Sequence, residues 1–268
     1  MDYSPLVTWN VSGPQSASAS DAPVLAFREE AVAAITNESL TVDNLPPQVE
    51  VDKDAVKAFL ESLKYPLYFM DFEAYQTAIP EYDGHWPFRQ LPFQFSVHRV
   101  DHPGGELHHH AFIAPVNTEP TTVFGTALLQ ATGDEGSVLV YNIDSEKLVL
   151  DQLEGDHPQW TNAIGRLRSR LVDLMLPFSK QAIRIPAIGN KLSLKYVLPV
   201  MVPQMSYSLL TIGNGDEANQ AYNAIRASGD VDFIEKTRQA LFAYAEVDTL
   251  AMVRILERMR ELVREEPQ

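Results

Sequence analysis

The chain has no cysteine among its 268 residues. Disulfides, thiolate nucleophiles, cysteine-ligated zinc and iron–sulfur clusters are therefore excluded, and the absence fits a cytoplasmic location. It has no run of eighteen or more apolar residues, so no membrane-spanning helix is expected. The opening MDYSPLVTWNVSG lacks a basic stretch followed by an apolar one, so it does not read as a secretory signal. There is no G-x-x-x-x-G-K-[ST] or G-x-G-x-x-G phosphate loop, no HEXXH zinc motif and no G-x-S-x-G nucleophile elbow. Gly213-Asn214-Gly215 is too short to cradle a phosphate and reads as a turn. Positive charge is also scarce: 21 Lys and Arg stand against 36 Asp and Glu, a formal charge of −15. A passive, charge-driven nucleic-acid coat is excluded by that balance, but an enzyme meeting nucleic acid through bound cations and one local basic patch is not.

The scarce positive charge is concentrated. Residues 161–200 carry seven basic side chains (Arg166, Arg168, Arg170, Lys180, Arg184, Lys191 and Lys195) and one acid, Asp173, so the window is +6 and the remainder −21. Such segregation reads as a face for an anion, or as a solvated helix face plus loop.

Residues 1–50 differ in texture from the rest. SGPQSASASDAP is small, polar and patternless, VLAFREEAVAAI has the makings of one short helix, and TVDNLPPQVEV is broken by proline. An extended or disordered segment is expected over 1–50, followed by one compact domain over 51–268. DKDAVKAFLESL has helical apolar spacing with Asp52 or Asp54 as cap. Strands are expected at Leu67–Glu73, 92–100 and 106–114, the last two joined by the HPGGE turn. A helix follows, with Thr118 as cap and Pro120 in its first turn. GSVLVYN then gives a fourth strand, two helical segments lead to a short strand within LVDLM, and the region from Asp216 to Glu265 is helical with a break near Gly229. Three strands and then alternating helix and strand define a mixed α/β sheet with helices on both faces, its most apolar strand, Leu67–Glu73, at the centre.

Three groups carry chemistry. Asp71 and Glu73 end that strand two residues apart, so both carboxylates face one side while Phe72 faces the other. Two acids so placed repel one another; a strand end in solvent relieves them, and so does a hard divalent cation such as magnesium or manganese. Tyr244 and Asp248 lie four apart on a helical stripe, hence on one face one turn apart. A surface acid with a core tyrosine explains that pair equally well. After the fourth strand, Asn142 is followed by Asp144 and Glu146, either of which offers a further carboxylate or complements the helix dipole. Among other residues, Asp173 is read as tuning the site or capping the next segment, and Lys195 as a phosphate contact or a solvated lysine. The loop 76–90, with Tyr82, His85, Trp86, Phe88 and Arg89, is read as a platform for unpaired bases, a packed lid or an oligomer contact. His108-His109-His110 would put His108 and His110 on one strand face, without a recognisable zinc pattern.

Taken in order, the D-x-E of Asp71 and Glu73, the Asn142-x3-Glu146 segment and the Y-x3-D of Tyr244 and Asp248 resemble the DEDDy-type 3′–5′ exonucleases of the ribonuclease H-like superfamily. The wording of YPLYFMDFEAYQTAIPEYDGHWPFRQLPFQFSVH, VLVYN-x3-E, RSRLVDL, SLKYVLPVMVPQMSY and YAEVDTLAMV, across roughly 55–262, is similar to a bacterial domain-of-unknown-function family of predicted nucleases. The resemblance implies a ribonuclease H-like sheet and a two-metal site for magnesium or manganese, with Asp71, Glu73, Glu146 and Asp248 as ligands and Tyr244 positioning the attacking water. It departs from the superfamily pattern at Ser145, which stands where an aromatic is expected, and at Glu146, which stands where Asp is expected. The implied substrate is single-stranded DNA or RNA, with Asn142, Lys195, Trp86 and Arg170 as its expected contacts. A separate nuclease or an upstream domain is the implied partner. Two other functions suit the same fold: a catalytically weak nucleic-acid-binding module assisting a partner nuclease, and a protein-interaction domain.

Overall fold

The run Leu67–Tyr75 alternates its apolar side chains between two faces, which requires cover on both sides. In the computed structural model, which describes residues 6–10, 49–116, 118–207 and 210–264, this run is strand β3, interior to a mixed sheet. The other strands are β1 (Leu6–Asn10), β4 (Leu91–Val100), β5 (Leu107–Ile113), β6 (Ser137–Val140) and β7 (Leu171–Asp173). Their spatial order is β1-β5-β4-β3-β6-β7. The pairs β3–β4, β4–β5 and β1–β5 are antiparallel; β3–β6 and β6–β7 are parallel. A second, two-stranded sheet pairs β2 (Glu50–Val51) with β8 (Ile183–Arg184). Most of the expectation for residues 1–50 lies outside the described residues; of that segment, β1 is extended and joins the sheet edge.

The helices are α1 (Lys53–Glu61), α2 (Thr121–Thr132), α3 (Asp144–Asp156), α4 (Thr161–Ser169), α5 (Leu176–Ser179), α6 (Leu194–Met201), α7 (Gly215–Arg226) and α8 (Val231–Leu262). Tyr68, Met70, Val138 and Val140 face a core built with Phe95, Phe112, Phe124, Leu128 and Leu150. Leu67, Phe69 and Leu139 face the opposite core, with Val197, Leu198, Met201 and the second half of α8. The period-two alternation thus divides the interior into two layers, with helices on both faces. Each fully buried side chain of Val, Leu or Phe size contributes about 1.5–3 kcal/mol.

The expected fourth and fifth strands are β6 and β7, and the expected break near Gly229 separates α7 from α8. Asp52 is the cap of α1: its carboxylate accepts the Ala55 N–H at 3.0 Å. The α2 cap differs from expectation. Thr118 bonds back to the Pro115 carbonyl, and the carboxylate of Glu119 receives the Thr121 N–H. An acid just ahead of the helix outcompetes the hydroxyl, since it complements the positive helix end as well as accepting the bond.

The 32-residue α8 is the element that positions chemistry. Asp230 caps it by accepting from the N–H groups of Asp232 and Phe233. Ion pairs Arg254–Glu257 and Arg258–Glu261 line its last turns. At about 1.5 Å per residue it runs along the sheet, touching β3, β4 and β5.

Candidate active site

Two polar bolts on β4 fix α8 against the sheet. Gln94, across from Glu73 in register, donates its amide to the Leu241 carbonyl at 2.6 Å. Ser96, across from Asp71, meets the Thr249 hydroxyl at 2.7 Å. Both side chains are buried. The α8 stretch between the bolts carries Tyr244 and Asp248, so the register of β3 on β4 dictates which acids of strand and helix meet. The ladder shifts just after Glu73, where Ala74 pairs with Pro92. This bulge interrupts regular pairing beside the acids, and it accommodates a proline that an unbroken ladder would reject.

Carboxylate oxygens of Asp71, Glu73 and Asp248 lie within 4.8 Å of one another. Asp71 and Glu73 are half-buried and Asp248 is buried, while Phe72 turns to the other core and packs edge-on against Phe124. Glu146 stands outside that trio. It is buried in the first turn of α3 and shares with Glu73 a cleft of about 220 Å³, also lined by Phe72, Gln90, Ser145 and Leu148. Asp144 is exposed. The turn into α3 is made by Asn142, whose backbone is left-handed (φ 69°), a conformation Asn tolerates better than most residues. Its N–H donates to Asp173 and its carbonyl accepts from Ser145. The Ser145 hydroxyl also donates to the Glu146 carboxylate at 2.9 Å, so the residue in place of the expected aromatic bonds directly to the acid.

Burial raises the whole set, and nearby acids add to the rise at Asp71, Glu73 and Glu146. Asp71 is pushed well above the usual carboxylate range, by desolvation first and then by Asp248, Glu73 and Glu146. Desolvation carries Glu73 to about 8, with Asp248 adding to the rise and a hydrogen bond from Tyr244 opposing it. Glu146 rises to about 7, again by desolvation, against the Ser145 hydrogen bond. Asp248 rises to about 6, because hydrogen bonds from Tyr207 and Tyr244 and the charge of Lys195 offset part of its burial. Burial and the surrounding acids push the Tyr244 phenol far above its ordinary value, so it remains a proton donor.

Three neighbours of the acids were not foreseen in these roles. Tyr207, in the connection after α6, donates to Asp248 Oδ1; the sequence displayed it within SLKYVLPVMVPQMSY, without a period to assign its side. Gly215 begins α7 against Glu73, and a Cβ there would lie 3.4 Å from Glu73 Oε2. The turn read at 213–215 is the cap of that helix: Asn214 accepts the Glu217 N–H, and Glu217 accepts the Gly213 N–H. The third is a separate group on the same sheet face. His98, His109 and Glu246 have donor atoms within 4.8 Å of one another, a further set with metal-ligand chemistry. Ser96 bonds His109 Nε2 at 2.8 Å, Thr249 bonds His98 Nδ1 at 2.8 Å, and the two imidazoles stack with centroids 4.4 Å apart. Of the three consecutive histidines, only the middle one enters this network.

The expected substrate contacts divide. Lys195 is exposed in the first turn of α6, and its charge acts on Glu73 and Asp248. Asn142 shapes the turn that delivers Glu146. Trp86 is 51% exposed on the loop 76–90, with the buried Arg89 guanidinium 4.7 Å from its ring centroid. Arg170, expected as a substrate contact, is engaged with the backbone. Its guanidinium donates to the carbonyls of Gly133 and Glu135 in the α2–β6 turn and lies over Tyr68, whose side chain faces away from Asp71. Five donors in a planar fork suit a cluster of carbonyls as well as they suit phosphate. Asp173 is a turn-builder, accepting from the N–H groups of Asn142 and Met175.

Residues 68–193 match the model of a family described as Domain of unknown function (DUF2779). The match takes in Asp71, Glu73, Asn142 and Glu146, and ends before Lys195, Tyr244 and Asp248. Comparison with curated proteins and with solved structures gave no match. Among the described residues no helix is long and apolar enough to cross a membrane.

Proposed function

We propose that the protein is a magnesium- or manganese-dependent 3′–5′ exonuclease of ribonuclease H-like fold, acting on single-stranded DNA or RNA. The observation that carries this reading is the convergence of Asp71, Glu73 and Asp248 within 4.8 Å beside a phenol that stays protonated. The chain order of strands supports it: β3, β4 and β5 form an antiparallel meander, β6 and β7 then add parallel to β3, and the acidic pair lies on β3, where the two modes meet.

The donor set fits hard divalent cations. It is all carboxylate oxygen, and burial first and the neighbouring acids second push Asp71 and Glu73 upward, costs that bound positive charge would relieve. Asp71, Glu73 and Asp248 would hold the ions, with Glu146 reaching in from the cleft wall. When bound, the cations supply an activated water and stabilisation of the leaving 3′ oxygen. The chain's own residues do the rest. Tyr244, a donor rather than a base, is held by its hydrogen bonding to the carboxylates where its hydroxyl would stand against the attacking water. Tyr207 holds the Asp248 carboxylate in one rotamer. Lys195 meets the phosphate charge at the rim, and Leu148 and Phe72 exclude solvent from one side of the cleft.

A second reading rests on Glu146, which stands apart from the other three acids: a nucleic-acid-binding module with weak turnover, assisting a partner nuclease or an upstream domain. One experiment separates the two. End-labelled single- and double-stranded DNA and RNA are digested with manganese, with Asp71→Asn as control. The exonuclease reading expects 3′ shortening of single strands and its loss in the variant; cleavage equal in both proteins sinks it. Binding without shortening favours the module.

A further inference from the structure

The basic window at 161–200 does not act as a single patch. Arg166 pairs with Asp134, Arg168 with Asp151 and Glu154, and Arg184 with Glu50, while Arg170 is engaged with carbonyls. Three exposed lysines are left: Lys180 at the end of α5, and Lys191 and Lys195 near Tyr196 in sequence. The Tyr196 side chain is 46% exposed, and the Lys191 ammonium lies 5.2 Å from its ring centroid. The opposite side of α6 is fixed: Val197, Leu198 and Met201 are fully buried against α8, the helix that carries Asp248. The turn leading into α6 is fastened as well, because the Tyr141 hydroxyl donates to the Leu192 carbonyl at 2.7 Å, one residue before Asn142. An exposed aromatic with one ammonium group against its ring and a second lysine next to it in sequence therefore sits on a helix packed against α8, which carries Asp248.

We propose that this strip, Lys191–Lys195–Tyr196, is the track of a single-stranded polynucleotide whose 3′ end enters the carboxylate cleft. The lysines face the phosphodiester chain and the Tyr196 ring takes the face of one base, a combination that binds single strands with little sequence preference. Lys195 lies in the first turn of α6, which packs on the helix that carries Asp248, so it marks the end of the strip nearest the acids. The loop 76–90 is less suited to this part. It displays Trp86 and Phe88, but its cation, Arg89, is buried and paired with Asp156. The direction of the track rests on the exonuclease reading; its existence does not.

The test uses the full chain in two arms. In the first, a fluorescent single-stranded 12-mer is titrated, with magnesium, into the Asp71→Asn protein with and without Lys191→Ala and Tyr196→Ala. Tyr196→Ala weakens binding about five- to hundred-fold, the loss expected for one stacked base, while Tyr196→Phe binds like its parent. Lys191→Ala lowers the slope of log affinity against log salt by about 0.7. In the second arm, the chain without the Asp71 change hydrolyses thymidine 5′-(p-nitrophenyl phosphate), a substrate too short to reach the strip, and Lys191→Ala and Tyr196→Ala leave that rate within two-fold. No 12-mer binding by the Asp71→Asn parent, binding unaltered in both strip variants, or equal displacement by polyglutamate of matched length would each overturn the track. No hydrolysis of the small ester in any protein would sink the exonuclease reading alone, with the binding arm still deciding the strip.

Discussion

Two buried polar groups share one face of the sheet and one helix, and they solve the cost of burial in opposite ways. In the Ser96, His98, His109, Thr249 and Glu246 group, donors and acceptors alternate: hydroxyl meets imidazole, hydroxyl meets hydroxyl, and the rings stack. In the Asp71, Glu73 and Asp248 group the members are all acceptors, and Tyr207 and Tyr244 are too few donors to neutralise them, so every member is pushed upward in pKa. A mixed polar network supplies most of its own partners when the chain folds. A single-sign one is complete only with something positive added. The contrast marks the first as scaffold and the second as site, although their nearest members, Asp248 and Thr249, are consecutive.

The largest effect that sharpens this contrast comes from neutralising one acid. Asp248→Asn lowers turnover by about a thousand-fold or more, the scale of removing a principal electrostatic contact, yet raises the melting temperature in EDTA because a repulsion is removed. A variant that loses both activity and stability would make Asp248 part of the scaffold. Next, Tyr244→Phe lowers kcat about a hundred-fold, within the range for losing a positioned proton-bearing group. Tyr207→Phe costs less than ten-fold in kcat and shows chiefly as weaker manganese affinity, read by calorimetry. Equal losses in the two would erase the distinction between orienting water and orienting Asp248.

In the neighbouring network, His109→Ala destabilises by about 1–3 kcal/mol, the price of leaving buried partners unsatisfied, measured by urea unfolding. Its kcat per folded molecule stays within a few-fold. The upward shifts of the acids also set a pH dependence. Carboxylates titrate near 4 when unfolded, while Glu146 and Glu73 rise to about 7 and about 8 in the fold. The folded state therefore holds more protons between those values, and stability falls as pH rises from about 4 to about 8. Melting temperatures in EDTA should decline across that window and flatten with manganese; a profile unaffected by the cation would refute the contrast.

What the sequence made legible follows from periodicity. Alternation in Leu67–Glu73 predicts a strand covered on both faces, and it puts Asp71 and Glu73 on one side; the helical stripe puts Tyr244 and Asp248 on another element's single face. Neither pattern says that the two faces meet. That depends on Gln94 and Ser96, polar residues in a strand whose other side chains are mostly apolar or aromatic, and their partners on α8 are remote in sequence. Strands of two residues such as β2 and β8 have no period to read. Tyr207 lies in an irregular connection where side-chain direction has no local rule. Charge counting found the basic window but not the pairing of its arginines, because Glu50, Asp134, Asp151 and Glu154 all come from outside it. The three consecutive histidines drew attention through the wrong members: strand alternation set His108 and His110 together, and only contact with β4 and α8 singles out His109.

Because α8 joins the sheet late in the chain, Asp71 waits for Asp248 until almost everything between them has been synthesised. Under the exonuclease reading, cation binding would therefore report that folding is finished, and a chain lacking α8 would lack one of the three converging acids.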